Sequence, residues 1–425
     1  MRSRRAGRTA WFGRAPGVGL GVLVALGMAI LATACGGEGR ADAPYTVRDS
    51  AGIPVVENRA PTWAPGEAWL VDAEPVLTLG SLDGPEETQF FDVATVRLRD
   101  DGALLVADAG NHRISAFDSD GIYLWSQGRE GEGPEEYQGI STLLVLPGDS
   151  ALVYDGRARR VTVLAPDGTP ARSYTPVPPE GSSRNAPMTL AAEGLTVSSA
   201  GVVFTSEDGG TAGRLERRPE RFLLTDTEGT VADTLGSLPG REMWLVANEQ
   251  MIAVRSVPFA KEAVVDGAGG RVVMAVTEYP EWRMLDTGGV PTRIVRMDAA
   301  PPEVTQQDWE RARDASIPAD AEPETRTRIR LDFEEISRPD RWPAFADVLL
   351  DDQRHLWVQR FVPPWEEAAP RPWWVFDPEG ILLGEVTFPA GLEVDQIRGA
   401  HLVGRWEDEL GVQQVRVYRI VGREG

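Results

Sequence analysis

Apolar residues along this chain come in short runs broken by clusters of Asp, Gly, Pro and Ser, a spacing that predicts short antiparallel strands. Residues 76–128 are the clearest stretch. Val93 to Leu98 reads as a strand, Asp100-Asp101-Gly102 as a turn and Leu104 to Ala107 as a second strand. A loop from Asp108 to His112 follows, then a third strand from Arg113 to Phe117 and a fourth from Ile122 to Trp125. Four short strands in about 45 to 50 residues make one propeller blade.

The unit recurs. Third strands fall near residues 113, 160, 221, 281, 373 and 414, and the turn Asp-x-x-Gly follows such strands at Asp118, Asp226, Asp286 and Asp377. Asp108 and Arg113 repeat as Asp155 and Arg160 at an offset of 47, and Gly84-Pro85-Glu86-Glu87 repeats as Gly133-Pro134-Glu135-Glu136 at 49. The expectation is an all-β, six-bladed propeller of four-stranded antiparallel blades over residues 45–425, with seven blades as the alternative. The hairpin at 45–57 has no repeat of its own, and pairing it with the incomplete last blade would close the ring. One segment breaks the pattern: residues 301–342 have helical composition around 308–313 and 326–336, so a small helical insertion is expected.

The N-terminus changes the address. Arg2, Arg4, Arg5, Arg8 and Arg14 precede an uncharged stretch from Ala15 to Ala34, and Leu31-Ala32-Thr33-Ala34 leads into Cys35, the only cysteine. Residues 1–34 therefore read as a lipoprotein signal peptide, Cys35 as the lipidation site and 35–44 as a flexible tether. An uncleaved transmembrane anchor is the alternative. The expected location is the bacterial cell envelope, on the periplasmic or surface side. In a host with two membranes the outer one is favoured. Loss of the five arginines takes the formal net charge from −22 to −27. Such a surface repels phosphates, which argues against nucleic acid as a partner.

Asp108-Ala109-Gly110-Asn111-His112-Arg113-Ile114, followed by Phe117-Asp118 and Gly121, resembles an NHL-type repeat. With the other units, the chain resembles bacterial six-bladed propeller lipoproteins of the NHL/TolB-like class. Motif identity is confined to residues 76–170. The resemblance implies a six-bladed propeller with a surface for ligands or protein partners, and no single activity.

Strand order places the loops of Asp108–His112 and Asp155–Arg159 on one end of the propeller, together with the crossovers at Gly84–Glu87 and Gly128–Tyr137. That end gathers the ligand-binding candidates Glu86, Glu87, Asp108, Asn111, His112, Arg113, Glu135, Glu136 and Asp155. They suit a protein or a small polar ligand. Asp108, Asn111 and Asp155 are also candidates for Ca²⁺, which takes six or more oxygen ligands. No other cofactor is expected. Histidine is limited to His112, His355 and His401, too few for a histidine-built metal site, and a lipidated Cys35 leaves no thiol for catalysis. Gly148-Asp149-Ser150 reads as a turn rather than a hydrolase motif, and the tryptophans as wedges between blades. The reading is a membrane-anchored binding or scaffolding module. A Ca-dependent hydrolase of the lactonase-like propeller type is the alternative.

Overall fold

The structure is a computed structural model that describes residues 43–201, 210–247, 252–366 and 369–423. The signal peptide and Cys35 lie outside the described residues. Among the described residues six sheets succeed one another along the chain, each built on four antiparallel strands. Blade 1 is Val93–Leu98, Leu104–Asp108, Arg113–Phe117 and Tyr123–Gln127, and blade 2 is Ile140–Val145, Ala151–Asp155, Arg160–Leu164 and Pro170–Tyr174. Blade 5 has the same plan, from Asp347–Leu350 to Leu382–Phe388. The third strands stand where the sequence places them, and the count is six.

The Asp-x-x-Gly turns show why they repeat. Asp118 accepts from the amides of Asp120 (3.0 Å) and Ile122 (2.8 Å), and Gly121 takes a φ of 82° that favours glycine. Asp226, Asp286 and Asp377 make the same pair of bonds. A further copy, Asp408 to Gly411, joins the second and third strands of blade 6 instead of the third and fourth.

Ring closure differs from the expectation. The N-terminal hairpin, Tyr45–Ser50 with Ile53–Asn58, extends blade 4, where Ile53–Asn58 pairs in parallel with the outer strand Pro291–Met297. Blade 6 is completed by Leu77–Leu79, which pairs with Gln413–Val421. The intervening chain crosses the rim of blade 5. Asn58 is buried there, donating to the carbonyls of Arg296 and Gly380 and accepting from the Leu382 amide, so one amide side chain joins blades 4 and 5. Sequence periodicity could not separate the hairpin from the strand that follows it, since both are short apolar runs.

The core lies between blades. Trp282 packs on Phe345 and Phe376 across blades 4 and 5, and Trp357 and Trp373 pack on Phe388 toward blade 6. Blade 3 is elaborated: its third and fourth strands, Gly210–Asp226 and Val231–Ala247, run far beyond the blade and are joined by Ile252–Ser256. Against this arm pack two helices, α1 (Gln306–Ala315) and α2 (Pro323–Glu335), carried on the crossover from blade 4 to blade 5. Thr305 and Asp308 form a capping box at the start of α1. Trp309 and Phe333 stack with ring centroids 4.8 Å apart, burying the helices against Trp244 and Val257. The sole lysine, Lys261, is buried under this cap. Its ammonium donates to the carbonyls of Phe259 and Arg341, and burial holds its pKa below the usual value.

Candidate functional site: braced loops and an axial cavity

At the loop end, the residues singled out by sequence form braces. Asp108 ends the second strand of blade 1 and is wholly buried. Its Oδ1 accepts from the Phe91 amide at 3.0 Å, and its Oδ2 accepts from Asn111 Nδ2 and Arg113 Nε, both at 2.9 Å. Arg113 reaches on to the carbonyls of Glu86 and Gln89. Blade 2 repeats the device. Asp155 accepts from the amides of Gln138, Arg157 and Ala158, while Arg160 donates to the carbonyls of Glu132 and Glu136. Blade 3 keeps the arginine, with Arg221 on the Glu180 carbonyl.

The recurring sequence pairs are thus one structural element. An aspartate and an arginine staple the crossover before a blade to the loop within it. Each brace closes in its own blade. Glu86 and Glu135 are exposed, Glu87 is half-buried, and Glu136 binds the Gly133 amide and Arg129. Those two contacts hold the Glu136 carboxyl below its usual range, the Gly133 amide first. His112 has a φ of 54° in the turn, and its Nδ1 is buried without a partner. Among the described residues, no three His, Cys, Asp or Glu side chains gather closely enough to hold a metal ion.

At the opposite end of the axis is a cavity of about 390 Å³. Every innermost strand contributes to it, with Arg97, Leu144, Thr189, Asp266, Leu349 and Asp395 coming from blades 1 to 6 in turn. Gly269, Gly270 and Asp352 of the first-to-second-strand turns also line it, which fixes the end on which it lies. The lumen walls are stapled across blades. Asp266 of blade 4 accepts from Thr189 Oγ1 of blade 3 at 2.6 Å and from the Leu350 amide of blade 5 at 2.7 Å. Asp395 of blade 6 accepts from Thr95 Oγ1 of blade 1 at 3.1 Å and from Arg405 at 3.0 Å.

Burial raises the pKa of both carboxyls, against the pull of these donors, and lowers that of the Arg97 guanidinium. Asp347 shares a strand face with Leu349, so it looks into the channel. Its side chain touches water there, yet the surrounding blades push its carboxyl up to about 7, with the charges of Asp266 and Glu262 adding to the effect.

Sequence reading passed over this cavity. The available signal was a charged residue inside a largely apolar first strand, Arg97 in Val93–Leu98 and Asp266 in Ala263–Ala268; Asp395 gave none, because Glu393–Arg398 is mostly polar.

No model of a known protein family and no curated protein matches this sequence. Solved structures do. A member of the DUF4221 family from Bacteroides vulgatus is 12% identical with a TM-score of 0.49, covering 83% of this chain and 98% of that one. Virginiamycin B lyase from Staphylococcus aureus is 10% identical with a TM-score of 0.38, over 83% of this chain and 100% of that one. A calcium-binding protein, regucalcin, from Agrobacterium tumefaciens is 10% identical with a TM-score of 0.38, over 80% and 94%. At these scores the likeness says nothing of activity, and the six sheets carry the fold by themselves.

Proposed function

We propose that this chain is a lipid-anchored propeller of the bacterial envelope, outside the cytoplasm, that binds rather than transforms. A small polar ligand sits in the axial cavity, and the braced, capped end faces a protein partner. The observation that carries this reading is the division of labour between polar groups at the two ends. Asp108 and Asp155 are each filled by three donors of their own blade, whereas the axial cavity keeps polar groups turned to open space. The address rests on the arginines before Ala15–Ala34 and on Cys35.

The same engagement weighs against calcium-dependent hydrolysis. A metal polarising a carbonyl needs several oxygens turned to one point, and here those oxygens hold loops. The test is a calcium titration of the full-length chain in detergent, followed by calorimetry and thermal unfolding. No saturable heat and an unchanged Tm are expected. A saturable rise in Tm that disappears in Asn111→Ala would replace the binding reading with the hydrolase.

A further inference from the structure

Arg97 is the unusual group in the cavity. Its Nη1 donates to two backbone carbonyls, those of Val96 at 3.0 Å and Asp395 at 2.7 Å. Its Nε and Nη2 make no hydrogen bond, and among the described residues it forms no ion pair. The nearest acids are engaged elsewhere, Asp395 with Thr95 and Arg405, and Asp266 with Thr189 and Leu350. Arg97 is half-buried, and a guanidinium that loses part of its hydration without a carboxylate partner carries a cost that a bound carboxylate would offset. Its Nε/Nη2 edge is the fork that grips a carboxylate in two parallel bonds.

The rest of the lining limits what can bring that carboxylate. Arg97 and Arg398 face Glu193, Asp266, Asp352 and Asp395; Arg398 is already paired with Asp100, Asp395 with Arg405 and Asp352 with Arg423, which leaves Arg97 against Glu193 and Asp266. A simple anion meets the excess of acid, and a simple cation meets Arg97. A molecule with both charges meets neither penalty. Leu190 and Ile397 add apolar wall, and the volume of about 390 Å³ is that of a small-molecule site.

We propose that Arg97 is a ligand-binding residue and that the axial cavity takes a small zwitterion of α-amino-acid type. The carboxylate lies on the Nε/Nη2 edge of Arg97, the ammonium lies beside Asp266 and Asp395, and an aliphatic side chain lies against the apolar wall. This rests on the cavity being the binding site proposed above.

The experiment uses three molecules sharing one isobutyl body: free leucine, isocaproate and isoamylamine. Each is titrated calorimetrically into the full-length chain in detergent, beside a panel of polyols. Leucine is expected to bind saturably and the two single-charge analogues not to. Arg97→Gln should weaken leucine on the order of tenfold or more, and Arg97→Lys less, since it keeps the charge but loses the fork. Leu190→Trp, which fills the cavity and spares the guanidinium, should abolish binding even if Arg97→Gln fails to fold. Binding of only isocaproate, isoamylamine or a polyol, lost in Leu190→Trp, would overturn the zwitterion and leave the axial site standing. Leucine binding indifferent to both Arg97→Gln and Leu190→Trp would place the ligand elsewhere and overturn the proposal. No binding by any molecule would sink both.

Discussion

The two ends of this propeller use the same residue types for opposite purposes. At the loop end, Asp108 and Arg113 meet directly at 2.9 Å, and their remaining bonding capacity goes to loop backbone. At the other end, Arg97 sits beside Asp395 and Asp266 without pairing to either carboxylate. The difference is geometric. Asp108 and Arg113 are cross-strand partners in antiparallel neighbours, so pairing is local and repeats with the blade. Arg97 projects from a first strand toward an axis where strands of other blades set the company. Repetition therefore marks the scaffold, and the departure from repetition marks the candidate site.

The sharpest way to break this comparison is Asp108→Ala. It leaves Arg113 largely buried without its partner and strips the Phe91 amide and Asn111 of their acceptor. Breaking a buried pair costs about 3–5 kcal/mol, which urea unfolding would register. The brace reading also expects leucine affinity to be unchanged wherever the variant stays folded. A loss under about 1 kcal/mol, in the range of an exposed pair, would mean that Asp108 is a spare ligand and not a brace. Thr189→Val at the other end is milder. It removes the 2.6 Å bond to Asp266 while the Leu350 amide remains, at a cost of about 1–3 kcal/mol. Both ends are then stapled, and only one of them should also lose ligand.

Architecture was legible because its signals are local. Asp118, Asp226, Asp286 and Asp377 each declare a turn within five residues, and the Asp108–Arg113 and Asp155–Arg160 offsets declare a shared plan. The insertion was legible from the composition around Trp309, and α1 and α2 lie within it. Closure was not, because the choice between Tyr45–Asn58 and Leu77–Leu79 as partner for Gln413–Val421 is made by Asn58 and by packing at the rim of blade 5. The cavity was illegible for a related reason. Arg97, Thr189, Asp266 and Asp395 come from four blades, successive ones about 77 to 129 residues apart, and a polar residue within one first strand does not state which others it meets at the axis.

Asp347 supplies the finest test, because it separates a lumen that is merely wet from one that confines charge. Its folded-state carboxyl is pushed up to about 7, whereas an unfolded aspartate titrates near 4, at about 3.9. Between those values the folded chain holds the proton and the unfolded chain does not, so stability falls as pH rises through this window and levels off above it. Asp266 and Glu262, which face Asp347 and are themselves raised by burial, act in the same direction. Asp351 and Asp308, held below the usual range, act in the opposite sense and only at lower pH. The expected result is a lower Tm for the wild type at pH 8 than at pH 5.5. Asp347→Asn should narrow that gap by raising Tm at both values, about twice as much at pH 8 as at pH 5.5, where only about half of the window has been crossed. An equal shift at both values would show that Asp347 titrates as an ordinary surface acid. The channel would then be open to bulk water along its length, and the contrast between a braced loop end and a charge-confining axis would lose its electrostatic half.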